Sequence, residues 1–280
     1  MICFPNAKIN LGLRVLGKRS DGYHEISTLM LPVSWHDALE ILPAEKTSLR
    51  VFGKDIASGE ENLCLLALRL LEKRFNRKFP VQINLLKKIP SGAGLGGGSS
   101  DGAATLKLIN QLFSLGITNK DLKIISAELG SDCPVFIESK PMIATGRGEV
   151  LSEINCDFSG IKIVIVSPSI HSASADAYND LKAPSIEIVD PVGWKQFLLQ
   201  PKQDWLKYFR NDFETTIFKK FPLIEKLKNE ILASGAFFAS LSGSGSSVYG
   251  LYVNKIPDEN QTFFRWCASM QFEVRICSVL

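Results

Sequence analysis

Residues 92–98 read Gly-Ala-Gly-Leu-Gly-Gly-Gly, so five of seven consecutive positions are glycine, and Ser99 and Ser100 follow. Glycine adopts positive φ angles freely and has no Cβ to hold a ligand away from the backbone. Successive backbone N–H groups in such a loop can surround an anion. The spacing therefore predicts a phosphate-binding loop, with Gly94 and Gly97 at positions where the backbone approaches the phosphate.

The segments on either side of this loop support that interpretation. Apolar residues alternate with polar ones over 81–85, which predicts a strand. Apolar residues recur at helical spacing over 106–113, and Gly116 can end that helix. The loop thus joins a predicted strand to the N-terminus of a predicted helix, where free N–H groups and the helix dipole favour phosphate.

Other glycine-rich loops fit less well. A Walker loop has Lys-Ser or Lys-Thr directly after its last glycine, whereas the first lysine after Gly98 is Lys107. Three of the glycines match the dinucleotide spacing, but the acidic candidate about 20 positions on, Asp121, opens a helical run rather than closing a second strand. A flexible linker or an ordinary tight turn is the remaining interpretation, and the patterned flanks disfavour it.

The N-terminal segment carries a second candidate site. Polar and apolar residues alternate from residue 8 to 15, which predicts a strand with Lys8, Asn10, Gly12 and Arg14 on one face. Such a face commonly lies in water. The alternative is that Lys8 and Asn10 point into a binding site.

Three loops follow that could contribute further groups. A turn predicted around Asp21 and Gly22 places Tyr23 and His24 side by side. Asp132 lies between a helix end and an apolar run at 135–137 that predicts a strand. A Gly/Ser segment at 241–250 reads as a hairpin loop that leads into a strand.

Composition excludes several classes of protein. At 280 residues, with 45% hydrophobic and 22% charged residues, the chain is typical of a globular protein with two domains. A net charge of +3 without a basic tail argues against nucleic acid. No apolar run approaches a membrane span, and the first residues lack signal-peptide order. Six cysteines without a CxxC pair predict reduced thiols and a cytoplasmic location.

The pattern of the whole chain is mixed α and β. The leucines Leu63, Leu66, Leu70 and Leu71 predict the buried side of a helix at 62–75. Further elements are predicted as helices at 119–129 and 223–231 and a buried strand at 161–166. A polar stretch near 152–160 predicts a boundary between domains 1–157 and 158–280.

Together these segments resemble the GHMP kinase superfamily, and the resemblance spans nearly the whole chain. The residues that carry it are PNAKINLGLRVLGKRSDGYHE at 5–25, PSGAGLGGGSSDGAA at 90–104, GSDCPVF at 130–136 and LSGSGSSVYG at 241–250. The resemblance implies an α+β, two-domain kinase fold with its active site in the interdomain cleft.

The closest resemblance within the superfamily implies a reaction as well. It is ATP-dependent phosphorylation of the 2-hydroxyl of a cytidine-diphosphate-linked methylerythritol, a small-molecule substrate, in the non-mevalonate route to isoprenoid precursors. Phosphoryl transfer needs alignment and charge neutralisation more than covalent help. Mg²⁺ is expected with ATP; Ser99 or Ser100 is a candidate ligand, and helix capping by these serines is an equal alternative.

The same resemblance implies roles for individual residues. Asp132 would accept the hydroxyl proton, while Lys8 would orient the hydroxyl and help keep Asp132 ionised. The ATP phosphates would be bound by Pro90, Ser91, Gly92, Ala93, Gly94, Leu95, Gly96, Gly97, Gly98, Ser99 and Ser100. The substrate would be bound by Asn10, Tyr23, His24, Tyr178, Gly243 and Ser244. Among these, His24 would read the cytosine edge and the two tyrosines would supply flat faces for the base.

Three rival functions remain open on the sequence. A kinase of the same superfamily that acts on mevalonate-like or homoserine-like alcohols would share the ATP residues but would not need Tyr23, His24 and Tyr178. A non-catalytic module that binds RNA would predict a basic face and no joint need for Lys8 and Asp132. A dinucleotide-dependent oxidoreductase would bind NAD rather than ATP.

Overall fold

The structure is a computed structural model that describes residues 1–54, 61–170, 174–181, 190–256, 258 and 262–280. Within these ranges the chain contains both runs of strands and runs of helices, as expected of an α+β fold. None of the helices in these ranges combines the length and apolar character needed to cross a lipid bilayer.

The strands of the described ranges are β1 Ile2–Cys3, β2 Asn6–Lys18, β3 His24–His36, β4 Ala38–Pro43, β5 Ser48–Gly53, β6 Val81–Lys87, β7 Met142–Thr145, β8 Val150–Glu153, β9 Ile161–Ser167, β10 Phe238–Leu241, β11 Val248–Val253 and β12 Glu273–Cys277. The helices are α1 Leu63–Phe75, α2 Gly97–Leu112, α3 Asn119–Ser126, α4 Val135–Glu138, α5 Ser174–Asp180, α6 Pro191–Leu198, α7 Trp205–Tyr208, α8 Glu214–Lys220, α9 Pro222–Ala233 and α10 Thr262–Ser269. A short 3₁₀ helix precedes α7.

The strands form three four-stranded sheets, with the orders β1-β4-β6-β5, β2-β3-β7-β8 and β10-β11-β9-β12. In the first sheet β5 runs parallel to β6, and the other pairs are antiparallel. The third sheet is antiparallel throughout, and β10 and β11 are the two arms of a hairpin.

The chain forms two compact units. Unit 1 comprises residues 1–7, 35–91 and 96–140, and unit 2 comprises residues 8–34, 92–95 and 141–280. The predicted boundary between domains 1–157 and 158–280 stays a prediction.

Each unit buries one apolar core. In unit 1 the inward side chains of β4 and β6 are fully buried together with residues of α1 and α2, for example Leu39, Ile83 and Leu106. In unit 2 the antiparallel sheet packs on α8, α9 and α10 through residues such as Val164 and Leu227. Burial of such side chains contributes roughly 1.5–3 kcal/mol each.

Most of the elements predicted from the sequence are confirmed, and two details are wrong. The apolar run at 135–137 lies in the short helix α4 instead of a strand. Helix α1 turns Cys64, Ala67 and Leu68 inward, whereas Leu66, predicted on the buried side, is 37% exposed.

Candidate active site

The first glycine loop connects β6 to α2, as its flanking patterns predicted. Gly92, Gly94 and Gly96 all have φ angles between 64° and 76°, a left-handed conformation that favours glycine. Helix α2 begins at Gly97, and Gly96 is its N-cap. The first N–H groups of a helix have no carbonyl partner within the helix. The loop therefore ends at a set of backbone donors that suits a phosphate.

Gly94 lacks a side chain for a reason that does not depend on a ligand. A Cβ at this position would overlap the carbonyl oxygen of Ser242, which belongs to the second glycine loop. The Ser242 hydroxyl donates to the Gly94 carbonyl at 2.8 Å, and the Ser247 N–H donates to the Ala93 carbonyl at 3.2 Å. Within unit 2, residues 92–95 therefore pack directly on residues 242–247.

Gly97 also has a packing reason for its small size. A Cβ there would lie 2.8 Å from Cγ2 of Ile89 and 3.2 Å from Nζ of Lys87. The close approach of α2 to the end of β6 thus requires glycine at this position. A phosphate is not needed to explain either Gly94 or Gly97, although their backbone N–H groups remain candidate donors.

A buried cluster of charges lies beneath the start of α2, and the sequence analysis missed it. The Lys87 ammonium donates to carboxylate oxygens of Asp37 and Asp101, the latter at 2.7 Å. All three residues are at most 2% exposed, and Oδ1 of Asp101 has no hydrogen-bond partner. The pKa of Asp101 is raised to about 7: burial is the largest cause, Lys87 opposes the shift and Asp37 adds to it. The three residues are referred to below as the Lys87 triad.

Ser99 and Ser100 do not cap α2. They lie inside the helix, the N-cap is Gly96, and no side chain caps the end. The capping alternative is therefore wrong for these residues. Ser100 is 2% exposed, whereas Ser99 is partly exposed and hydrogen-bonds the Cys133 thiol.

Asp132 lies in the turn between α3 and α4, next to Cys133. The contact between Cys133 and Ser99 brings this turn beside the first turn of α2 within unit 1. Burial raises the pKa of the Cys133 thiol to about 12, which leaves the neighbouring thiol protonated and unsuited to nucleophilic chemistry. Asp132 itself is partly exposed. Pro90 is partly exposed and Ser91 exposed in the same unit, at the end of β6.

Lys8 and Asn10 lie in the interior of unit 2. They are 3% and 1% exposed, and the Lys8 ammonium donates to Oδ1 of Asn10 at 2.5 Å. The interpretation that this face of β2 lies in water is therefore wrong. The Lys8 N–H donates to the carbonyl of Leu95 at 2.9 Å, so the start of the strand is joined to the first glycine loop.

The second glycine loop contacts the same strand. Gly243 has a φ angle of 56°, and a Cβ built on it would lie 3.3 Å from Oδ1 of Asn10. Nδ2 of Asn211 donates to the carbonyls of Leu241 and Gly243 at 2.9 and 2.8 Å. Ser244, the other predicted loop residue, is 7% exposed.

The residues predicted to bind a pyrimidine base lie around the turn between β2 and β3. The ring of His24 stacks on Tyr178 with centroids 4.8 Å apart and planes 17° apart, and Tyr178 meets Phe213 edge-on. Tyr23 is 53% exposed, with the Arg147 guanidinium 4.7 Å above its ring. Burial, with the charge of Lys18, lowers the pKa of His24, so its ring is neutral at pH 7.

The candidate residues thus gather in three places. Unit 2 brings Lys8 and Asn10 together with both glycine loops, and separately groups His24, Tyr178 and Tyr23 around one turn. Unit 1 places Asp132 beside the N-terminal turn of α2. Unit 2 offers an ammonium and backbone N–H donors, and unit 1 offers a carboxylate and the N–H donors at the start of α2. Groups of these kinds suit charge neutralisation and proton transfer. No cluster of three or more His, Cys, Asp or Glu side chains that could hold a metal occurs among the described residues.

Two family models match the chain. One is described as GHMP kinases N terminal domain and matches residues 62–140, and the other as GHMP kinases C terminal and matches residues 201–264. The chain is 40% identical to a protein of Parabacteroides distasonis named 4-diphosphocytidyl-2-C-methyl-D-erythritol kinase, over 95% of this chain and 97% of that one. It is 43% identical to a protein of the same name from Bacteroides thetaiotaomicron, over 90% and 92% of the two chains.

Two solved structures also resemble the chain. A crystal structure of 4-(cytidine 5'-diphospho)-2C-methyl-D-erythritol kinase matches with a TM-score of 0.78 and 28% identity, over 99% of each chain. The mevalonate kinase of Methanococcus jannaschii matches with a TM-score of 0.70 and 16% identity, over 100% of this chain and 98% of that one. The latter likeness concerns the fold alone.

Proposed function

The chain belongs to the GHMP kinase family of ATP-dependent phosphotransferases, and from that premise we propose that it phosphorylates the 2-hydroxyl of 4-diphosphocytidyl-2-C-methyl-D-erythritol. The observation that supports this substrate best is the 40% identity, over nearly the full length of both chains, to proteins named for that reaction. The sequence around Tyr23, His24 and Tyr178 supports it further, because a cytosine base needs flat faces and a polar edge. We also propose that the reaction takes place in the cytoplasm, which the six free thiols support.

Asp132 is proposed to accept the proton of the substrate hydroxyl as the phosphoryl group is transferred. Lys8 is proposed to orient that hydroxyl. Asn10 contacts the substrate.

Backbone N–H groups of residues 91–99 bind the phosphates of ATP and offset the charge that develops during transfer. Pro90 has no N–H, and the Ser100 N–H donates to the Gly96 carbonyl at 2.9 Å.

The second glycine loop and the base-binding residues are proposed to fix the acceptor. Gly243 and Ser244 contact it beside Asn10. His24 is neutral at pH 7 and can therefore both donate and accept hydrogen bonds along the cytosine edge. Tyr178 and Tyr23 stack against the base, which from nucleic-acid binding sites is worth roughly 1–3 kcal/mol for each stacked aromatic ring.

Mg²⁺ is proposed to accompany ATP. Mg²⁺ in kinase sites is bound largely by substrate phosphates and water, with few protein ligands. The lack of a carboxylate cluster among the described residues is compatible with that donor set. Ser99 is the better of the two serine candidates because Ser100 is buried.

A substrate panel tests the proposal. The purified chain is assayed with ATP and Mg²⁺ against the cytidylated methylerythritol, mevalonate and homoserine, with ADP release and ³¹P NMR of the product as readouts. We expect turnover with the cytidylated substrate and a new phosphate monoester, and only background ADP release with the other two alcohols. Comparable kcat/KM values for mevalonate or homoserine would overturn the choice of substrate.

The same assay tests the role of Asp132. Removing a positioned base typically lowers the rate by roughly 10²–10⁴-fold. We expect Asp132→Asn to lose kcat in this range while it binds ATP normally by calorimetry. Asp121→Asn, on the exposed N-terminal turn of α3, is the matched control and should keep wild-type kcat. A near-normal kcat for Asp132→Asn would mean that a group other than Asp132 accepts the proton.

A further inference from the structure

A chain of buried polar groups crosses from β2 to β3 inside unit 2. The Lys8 ammonium donates to Oδ1 of Asn10 at 2.5 Å, and Nδ2 of Asn10 donates to Oγ1 of Thr28 at 3.1 Å. The Thr28 hydroxyl donates to the carbonyl of Gly12 at 2.5 Å. Lys8, Asn10 and Thr28 are 3%, 1% and 0% exposed, so water does not substitute for these partners.

In this series of buried polar groups every hydrogen bond is donated in the same direction, from Lys8 towards the Gly12 carbonyl. A threonine hydroxyl has a single proton, and Thr28 uses it on the Gly12 carbonyl. Towards Asn10 the hydroxyl oxygen can therefore only accept, so the amide must present its NH₂ group to Thr28. The amide oxygen then faces Lys8, which is the arrangement an ammonium requires. The reverse orientation would set the NH₂ group against the ammonium, donor against donor.

Packing fixes the Gly12 end of this polar series, and a hydrogen bond fixes the backbone at Asn10. Gly12 has a φ angle of 70°, and a Cβ there would lie 2.7 Å from the ring of Trp194, so this ring and the left-handed backbone hold the Gly12 carbonyl in place. The Tyr249 hydroxyl donates to the backbone carbonyl of Asn10 at 2.8 Å. With the strand fixed in this way, the side-chain orientation of Asn10 depends on Thr28.

We propose that Thr28 is a positioning residue for phosphoryl transfer, which acts through the Asn10 amide to orient the Lys8 ammonium. The proposal rests on the role given to Lys8 under the proposed function. Thr28 is 0% exposed, so it acts on the transfer only through Asn10 and Lys8. Its removal should therefore lower the rate of transfer and leave the KM for ATP unchanged, whereas the KM for the acceptor can rise because Asn10 contacts the acceptor.

Two substitutions separate the hydroxyl from the rest of the side chain. Thr28→Val keeps the shape and removes the hydroxyl, whereas Thr28→Ser keeps the hydroxyl and removes a buried methyl group. We expect Thr28→Val to lower kcat about 10–100-fold with the KM for ATP within about threefold of wild type. Thr28→Ser should keep kcat within about threefold although its melting temperature falls. If Thr28→Val does not fold, Thr28→Ala takes its place in the same comparison.

A double mutant supplies a readout that a purely structural role would not move. In a Lys8→Met background, Thr28→Val should cause no further loss of kcat, because the group it orients is already absent. Independent losses that multiply would overturn the proposal. So would a Thr28→Val variant with a lower melting temperature and wild-type kcat, the result expected if the hydroxyl only satisfies buried polar groups.

The activity of the wild-type chain distinguishes a failure of the Thr28 proposal from a failure of the proposed function. If the wild-type chain does not phosphorylate the cytidylated substrate but phosphorylates another alcohol of the panel, the same variants are compared on that alcohol. If wild type turns over and Thr28→Val matches it in kcat, only the role of Thr28 is wrong. If wild type phosphorylates none of the alcohols, both proposals are overturned together, because Lys8 then has no transfer to assist.

Discussion

The flanks of the first glycine loop are held by buried charges, and the second glycine loop is held by a neutral amide. At the first loop, Lys87 at the end of β6 is bonded to Asp37 and to Asp101 of α2. Oδ1 of Asp37 also accepts the N–H groups of Lys88 and Ile89 at 2.5 and 2.9 Å. The Lys87 triad thus ties together, within unit 1, the strand that enters the loop and the helix that leaves it.

At the second loop the corresponding anchor is Asn211. Its NH₂ group donates to the carbonyls of Leu241 and Gly243, and its Oδ1 accepts the N–H of Phe213 at 3.0 Å. A charged side chain assists from outside the loop, where Glu214 accepts the N–H of Leu241 at 3.0 Å and pairs with Lys228. That pair is partly exposed, whereas Asn211 is 3% exposed.

A charged anchor and a neutral anchor differ in the stability that is lost when they are removed, and in how that loss depends on pH. Removing charges from water is costly, and each buried ion depends on its partners to offset that cost. Loss of one member of the triad therefore leaves an uncompensated charge. The resulting loss in free energy of unfolding varies with the protonation of the members that remain. Loss of a neutral amide leaves unsatisfied hydrogen-bonding groups instead, at a cost that pH does not alter.

The largest effect is expected from Lys87→Met. It leaves two carboxylates without their shared cation, and breaking a buried ion pair costs about 3–5 kcal/mol in free energy of unfolding. Denaturant unfolding at pH 8 should show a loss of this size. The loss should shrink at pH 5, where Asp101, with its pKa of about 7, is protonated.

The matched control for this variant is Lys78→Met. Lys78 also pairs with a carboxylate, Glu72, but its side chain is 86% exposed. Exposed pairs contribute about 0–1 kcal/mol. If Lys87→Met were no more destabilised than Lys78→Met, the triad would not be the anchor of the first loop.

A smaller effect is expected at the second loop. Asn211→Ala removes the donor to the Gly243 carbonyl and the acceptor of the Phe213 N–H, whereas the Leu241 carbonyl keeps the Ser240 hydroxyl at 3.3 Å. We expect a loss of roughly 1–3 kcal/mol. This loss should be the same at pH 5 and pH 8, since no group of the anchor titrates in that range. Unfolding curves at the two pH values measure it.

Asn211→Asp makes the neutral anchor titratable with almost no change in shape. Its carboxylate would face two carbonyl oxygens, which disfavours the ionised form, whereas the protonated form can donate one hydrogen bond. We expect this variant to lose more stability at pH 8 than at pH 5. A pH-independent loss for Asn211→Asp, or a pH-dependent one for Asn211→Ala, would remove the contrast between the two loops.

Local patterns in the sequence predicted several strands of both units. Alternation over 8–15 and 81–85 and the apolar run at 161–166 correspond to β2, β6 and β9. Period two fixes which residues share a face, but it does not say whether that face meets water or protein. The face that carries Lys8 and Asn10 is buried. The alternation in the sequence could not distinguish this burial from exposure to water.

The errors also have local physical causes. The three apolar residues at 135–137 are too few to separate a strand from a helix, and they lie in helix α4. In α1, leucines occur on several sides, and small residues such as Cys64 and Ala67 mark the inward face instead. The spacing of the large side chains predicts the wrong face, because a close approach between helices favours small residues.

The triad could not have been predicted from local patterns. Asp37 is 50 positions from Lys87 and Asp101 is 14 positions from it, so only the folded sheet and helix bring the charges together. The available signal is weak. Lys87 falls in the inward register of an apolar strand and is 2% exposed, and a buried lysine requires an acidic partner.

A pH titration sharpens the comparison through Asp101. In the folded chain the pKa of Asp101 is raised to about 7, mainly by burial, whereas in the unfolded chain it is about 3.9. Between these values the folded state holds a proton that the unfolded state has released. Stability therefore falls as pH rises through this window, by up to about 1.4 kcal/mol per pH unit from this group. Asp101→Asn removes the titration but keeps an oxygen for Lys87.

We expect the free energy of unfolding of Asp101→Asn, relative to wild type, to increase from pH 5 to pH 7 and to level off above pH 7. Glu128→Gln, on the surface of the same unit, controls for the loss of a carboxyl group and should give a nearly constant difference. A difference that runs the other way, with wild type gaining on Asp101→Asn as pH rises, would mean that Lys87 stabilises the Asp101 carboxylate by more than burial costs it. The first loop would then be most stable at high pH, and the pKa of Asp101 in the folded chain would not be raised.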